Sequence, residues 1–163
     1  MSIIDSINRN STGLKIIGNQ KERAAEWAAS RFPDTTLPPY WGYFTALLVE
    51  KDGDILASVI YNNFTSNSLD MHVAAVRSRN WLSRPFLFTV FSYPFVQLNL
   101  GRVTAKIGEN NHQAHKFLRH LGFTQEGRHP EGWEKGIALL SFGLLKEQCR
   151  FLEYPYSGQA KSS

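Results

Sequence analysis

The sequence predicts a single α/β domain with a mixed, mostly antiparallel central sheet and helices on both faces. Three observations lead there. Two strand-like runs meet at Asp52-Gly53, a dipeptide that favours the tight turn of an antiparallel hairpin. A run beginning at Pro85 is apolar on every side and separates two further strand-like segments. Such a run is a buried crossover helix, and the strands it joins should be parallel. Finally, the chain has 163 residues, 42% hydrophobic and 20% charged, the size and balance of one globular domain with a substantial core.

Gly13-Leu-Lys-Ile-Ile-Gly18 reads as a short first strand. A helix follows over Asn19 to Arg31, with Asn19 as its cap, Glu22 three residues on, and Ala24, Ala25, Trp27 and Ala28 within it. Phe32 to Pro39 is a proline-broken loop. The hairpin strands span Tyr43 to Lys51 and Asp54 to Tyr61, and Asn62 to Ser68 is a polar turn region. Leu69 to Val76 is a third strand, with Asp70, His72, Ala74 and Val76 on one face and Met71, Val73 and Ala75 on the other. Pro85 suits the first turn of the buried helix, and Pro94 should kink or end it. Arg102 to Ile107 is a strand, and Asn111 to Leu121 a helix closed by a left-handed Gly122. Ile137 to Phe151 is a closing strand that runs into a terminal turn, with a frayed tail beyond Glu153.

Composition narrows the classes of function. No stretch approaches the roughly 18 apolar residues of a membrane span, and the N-terminus lacks the basic head and apolar core of a signal peptide. One cysteine, Cys149, excludes an intrachain disulfide, reads as a packed thiol, and fits a reducing, cytoplasmic compartment. A net charge of +4 suits a ligand with several phosphates, and equally nucleic acid or plain solubility. His112, His115, His120 and His129 lack the spacing and the cysteines of a structural zinc site, so no metal is expected.

The segment from Asn111 to Gly127 holds the most informative pattern. Asn111 begins a helix beside a strand end, where its amide can cap the helix or bond a ligand's peptide-like groups. Ala114, one turn on, is small enough to let a ligand approach, and Phe117 continues that face. Asn111-His-Gln-Ala114, with Leu121-Gly122-Phe123 and Glu126-Gly127 at matching spacing, resembles the "N-x-x-A/S … lGF … EG" signature of GNAT acetyltransferases. It is most similar to the ribosomal-protein N-acetyltransferase branch. Leu140 to Cys149 is similar to that branch's closing strand, and parts of the chain look like phage-encoded GNAT-like proteins. The resemblance covers residues 69 to 151 well and residues 13 to 68 in element order only.

That resemblance implies a splayed pair of parallel strands, Leu69–Val76 and Arg102–Ile107, holding acetyl-CoA as co-substrate. The pantetheine would bond the backbone of Val73, Ala74, Ala75 and Val76, beside Asn111, Ala114 and Phe117. The pyrophosphate would sit at the next helix N-terminus, where the dipole favours anions. The family's loop there is Arg/Gln-x-x-Gly-x-Gly/Ala. This chain has Arg77-Ser-Arg79-Asn-Trp81-Leu-Ser83-Arg84 instead, so Arg77, Arg79, Ser83 and Arg84 would take the place of the lost amide contacts. Trp81 reads as a core or lid residue.

Acetyl transfer needs a neutral amine, a donor for the tetrahedral oxyanion and a proton for the leaving thiolate. Where many members of the family carry a tyrosine acid, this chain has Leu118. A backbone N–H near Ala74 or Ala75 would serve the oxyanion. His72 is the first candidate base, because an ordinary imidazole titrates near 6.5; Asp70 shares its face, and Glu109 is the alternative. The amine acceptor, a peptide or a small molecule, would lie between Pro38–Gly42 and a loop at Arg128 to Trp133. Two other readings fit the same residues: a non-catalytic binding or inhibitor protein of GNAT shape, and a phage-type enzyme that modifies DNA bases. A monomer and a homodimer are both compatible with the sequence.

Overall fold

The computed structural model describes residues 13–31, 41–78 and 80–153. Within them one sheet of seven strands has the order β1-β2-β3-β4-β5-β7-β6. Its strands are β1 (Leu14–Ile17), β2 (Phe44–Lys51), β3 (Asp54–Asn62), β4 (Ser68–Ala75), β5 (Arg102–Gly108), β6 (Thr124–Glu134) and β7 (Ile137–Leu145). Every neighbouring pair is antiparallel except β4 and β5, which run parallel as the crossover reading requires. Three helices complete the fold: α1 (Lys21–Ser30), α2 (Arg84–Ser92) and α3 (His112–Leu121).

The helices cover opposite faces. Ala24, Ala25 and Ala28 of α1 pack on Ala46, Leu48, Ile60 and Ala74. Their small side chains bring the helix close enough for the buried Ser58 Oγ to donate to the Ala24 carbonyl at 2.8 Å. On the other face, α2 and α3 deliver Phe86, Phe91, Leu118 and Leu121 to a larger core with Val59, Tyr61, Leu69, Val103 and Phe142. Cys149 is packed there too, and burial pushes its thiol up to about 11, so it stays protonated.

At β2–β3, Asp52 (φ 52°) and Gly53 (φ 87°) both take positive φ, as the paired strands' twist requires of a two-residue turn. Around Pro94 the buried helix passes into a π-helical turn, Tyr93–Gln97. Pro94 has no N–H to give the Val90 carbonyl. The buried Tyr61 hydroxyl supplies the missing bond, donating to that oxygen at 2.6 Å. The kink foreseen at Pro94 is thus a widened turn whose orphan acceptor is satisfied from the sheet.

Two sequence expectations need correction. Asn19 does not cap α1: Gln20 stands at the N-cap and makes no side-chain cap bond. Instead Arg23 fixes the helix start, pairing with Glu50 at 2.7 Å and donating to Gln20 Oε1 at 2.9 Å and the Gly53 carbonyl at 3.0 Å. The loop expected at Arg128 to Trp133 belongs to β6, an exposed edge strand whose register with β7 shifts between His129 and Glu134. Arg128 and His129 pair with β7, whereas residues 130–133 have no register partner and Glu131 takes φ 62°, so the strand bulges at Pro130 and Gly132. Residues expected in the proline-rich loop (32–40) and in the frayed tail (154–163) lie outside the described residues.

Candidate functional site

The site begins where β4 and β5 part. The two strands pair at Ser68↔Arg102, Leu69↔Val103 and Asp70↔Thr104, and at no later position. On its other edge β4 stays paired with β3 up to Ala75↔Ala57, and Val76 N–H donates to the Leu56 carbonyl at 2.9 Å. In an extended strand the N–H and C=O of one residue point to the same edge and alternate from residue to residue. Since Val76 points at β3, Ala74 does too. Val73 and Ala75 therefore turn their backbone donors and acceptors toward the gap that β5 has left.

A cleft of about 610 Å³ opens at this gap. Val73, Ala74, Ala75, Val76 and Arg77 form one wall, Asn111, Gln113, Ala114 and Phe117 of α3 the other, and Ser30, Arg31, Trp81 and Leu82 its ends. Asn111 caps α3, its Oδ1 accepting from Ala114 N–H at 3.1 Å. Ala114 and Phe117 thus present a small and an aromatic side chain one turn apart. Among the described residues these walls hold two arginines and no carboxylate. Trp81 is buried against the rings of Phe86 and Phe117, and its indole Nε1 has no partner among the described residues.

Eight of the eleven residues expected to hold a cofactor line this cleft: Val73, Ala74, Ala75, Val76, Arg77, Asn111, Ala114 and Phe117. Ser83 and Arg84 are not among its walls. Ser83 Oγ instead accepts from Phe86 N–H at 3.2 Å as the cap of α2, and Arg84 is that helix's exposed first residue. Arg79 lies outside the described residues. Leu118, at the position compared with the family's tyrosine acid, faces the core. Sequence reasoning missed Arg31 and Ser30. The sequence marks them only as the end of a helix, and the packing of α1 over β4 brings them to the cleft.

The three candidate bases stand apart from it, and each has a partner. His72 and Asp70 share the α1-facing side of β4. Asn62 Nδ2 donates to the Trp41 carbonyl at 3.0 Å, which leaves its Oδ1 as an acceptor for His72 Nε2 at 2.8 Å. The imidazole then carries its proton on Nε2 and a lone pair on Nδ1. The Trp41 ring covers it at 4.9 Å. Burial lowers its pKa to about 4; the Asp70 carboxylate opposes that shift and Lys106 adds to it. Asp70 is held by Lys106 Nζ at 3.1 Å and Asn63 Nδ2 at 2.9 Å. Glu109 takes a forked pair from Arg128, at 2.8 and 3.0 Å, and these hydrogen bonds hold its carboxyl below the usual range.

Beyond the end of β5, the Trp133 ring lies so close to Gly108 that a Cβ there would meet it at 2.7 Å. Trp41 and Trp133, both expected at the acceptor side, are therefore placed against His72 and Gly108 respectively. Among the described residues no three histidine, cysteine, aspartate or glutamate side chains gather as metal ligands would, and no helix is long and apolar enough to cross a membrane.

Solved structures share this architecture. No protein-family model matches the chain, and no curated protein does. A point mutant of the spermidine N-acetyltransferase SpeG from Vibrio cholerae superposes with a TM-score of 0.69 over 89% of this chain and 99% of its own, at 13% identity. A second mutant of the same enzyme gives 0.70 at 14% identity, with the same coverage. A probable acetyltransferase gives 0.65 at 15% identity, over 84% of this chain and 95% of its own. At such identities the likeness is one of fold. The chain has the GNAT fold, with the mixed sheet and single parallel pair expected of it.

Proposed function

We propose that this protein is an acetyl-CoA-dependent N-acyltransferase of the GNAT superfamily, close to the ribosomal-protein N-acetyltransferase branch. It would transfer an acetyl group directly to a primary amine of a peptide or small molecule. The observation that carries this reading is the broken parallel pair. It leaves the Val73 and Ala75 peptide groups without a strand partner along a cleft closed by the Asn111–Phe117 face of α3, the Ala75 carbonyl taking only a long, exposed bond from Arg31. The acetyltransferase names of the structural neighbours agree with it.

The residues present fit acetyl-CoA, which supplies an activated acetyl thioester. Exposed backbone donors and acceptors at Val73 and Ala75 match a pantetheine's two amides. Arg77, exposed at the end of β4, suits its phosphates, and Ala114 leaves room along the helix. The Ala75 N–H, which faces the gap, is the proposed donor for negative charge developing on an acyl oxygen, worth several kcal/mol when preorganised. Arg79, Ser83 and Arg84 are proposed as outer phosphate contacts beyond the cleft walls.

His72 is the proposed proton acceptor. Its low pKa keeps Nδ1 unprotonated throughout the neutral range. Asp70 tempers the shift, and Glu109 remains the alternative once Arg128 releases it. Among the described lining residues the one hydroxyl, Ser30 Oγ, donates to the Trp27 carbonyl at 2.6 Å, which agrees with direct attack by the acceptor amine. The single cysteine suits a cytoplasmic site of action.

The test is release of free CoA thiol from acetyl-CoA, followed against a panel of peptide and small-molecule primary amines. Release that depends on both protein and amine supports the reading. Tight CoA binding without release would leave a GNAT-shaped binding protein, which is the reading that the buried Leu118 favours.

A further inference from the structure

We propose that Arg31 is a phosphate-reading gate of the cleft, released by the ligand it helps to bind. Arg31 follows the last residue of α1, and its guanidinium reaches across to β4, where Nη2 donates to the Ala75 carbonyl at 3.3 Å. That carbonyl points into the split and belongs to one of the two residues whose backbone groups are open to a ligand. Arg31 therefore occupies an acceptor that an entering pantetheine amide would use. The bond is long and exposed, so little holds it against a competing donor.

Its surroundings suit an anion. The guanidinium lies over the Trp27 ring at 5.4 Å, a platform that keeps the side chain extended toward the cleft. Among the described residues Arg31 makes no ion pair and no carboxylate lines the cleft to capture it. Among them Arg77, at the end of β4, is the cleft's other cation. Once displaced from Ala75, Arg31 can pair with a phosphate group in forked geometry, as guanidinium favours. The two arginines would then flank the cleft mouth in place of backbone amides that a glycine-rich loop would supply. Each bond that Arg31 gives up to the pantetheine is offset by a charge-assisted bond to phosphate. A thioester without phosphates still displaces Arg31 but gains nothing in return.

This inference rests on the cleft being a CoA site, and it makes a prediction of opposite signs that the site alone does not. Arg31→Ala should weaken binding of CoA about tenfold or more, and leave S-acetylpantetheine bound as well as by wild type or better. Arg31→Lys, which keeps charge but not the fork, should fall between wild type and Arg31→Ala for CoA. Calorimetric titration of both ligands, at two salt concentrations, reads this directly, and circular dichroism confirms the fold. The salt dependence of CoA binding should also be shallower in Arg31→Ala. Equal losses for both ligands would make Arg31 merely structural and overturn the gate, as would no loss for either. If wild type binds neither ligand, the cleft is not a CoA site, and the gate falls with that reading.

Discussion

β4 has two edges with different fates. Toward β3 it is paired from Asp70 to Ala75, with the Val76 N–H bonded beyond. Toward β5 it is paired only from Ser68 to Asp70. The same eight residues thus supply a structural ladder on one side and, beyond Asp70, a row without a strand partner on the other. Alternation along an extended strand is enough to assign them: Ala74 serves the fold, and Val73 and Ala75 serve the cleft. Adjacent residues of one composition acquire separate roles from direction alone.

Proline substitution breaks this comparison most sharply. Ala74→Pro removes an N–H from the β3 ladder and crowds α1, so it should cost roughly 3 kcal/mol or more, read by urea denaturation. Ala75→Pro removes an N–H that points into the gap. It should leave a folded protein whose CoA affinity falls about tenfold, as loss of one well-placed bond implies. If Ala75→Pro proved as destabilising as Ala74→Pro, the assignment of edges would be wrong.

A smaller effect comes from His72, on the side of β4 away from the core of α2 and α3. Its folded pKa of about 4 lies below the unfolded value of about 6.5, so the unfolded chain binds the extra proton first. Stability should be complete above about pH 6.5 and fall as pH drops toward 4, by no more than about 3 kcal/mol at about 1.4 kcal/mol per pKa unit. His72→Gln should remove that slope in denaturation curves measured from pH 7.5 to 4. The rate of acetyl transfer should show no inflection from His72 between pH 5.5 and 7.5, because the imidazole is already neutral there.

Asn111→Ala tests the opposite wall. Losing the bond to Ala114 N–H should cost about 1 kcal/mol of stability and also loosen CoA, since the cap positions the helix face that lines the cleft. Arg128→Ala should leave stability nearly unchanged, because its pair with Glu109 is exposed and screened by solvent. Its readout is the alkaline shift of any Glu109 titration in the rate profile.

Features written in local chemistry were legible in the sequence. Asp52-Gly53 dictates its turn, Asn111 and Gly122 bound α3, and an all-round apolar run can only be a buried helix. The parallel pair followed from that helix, whereas the eight cleft residues came from the resemblance to GNAT acetyltransferases. Strand β6 was not legible. Thr124 to Glu134 is exposed on both faces, so no hydrophobic alternation marks it, and Gly127, Pro130 and Gly132 argue against a strand; β7 pairs it up to His129 and again at Glu134, with a bulge between. The start of α1 was misread because Arg23, pairing across to Glu50 and Gly53, overrides the capping signal at Asn19. Arg31 escaped notice for a similar reason: its role depends on which carbonyl of β4 faces outward, and that is set by pairing.

Amide hydrogen exchange at residue resolution, with and without CoA, tests the central claim most directly. Val73 and Ala75 should exchange fast in the free protein and become protected on adding CoA, while Val76, already bonded to Leu56, should stay protected throughout. Protection of Val73 and Ala75 in the free protein, or CoA binding that leaves both unchanged, would contradict it.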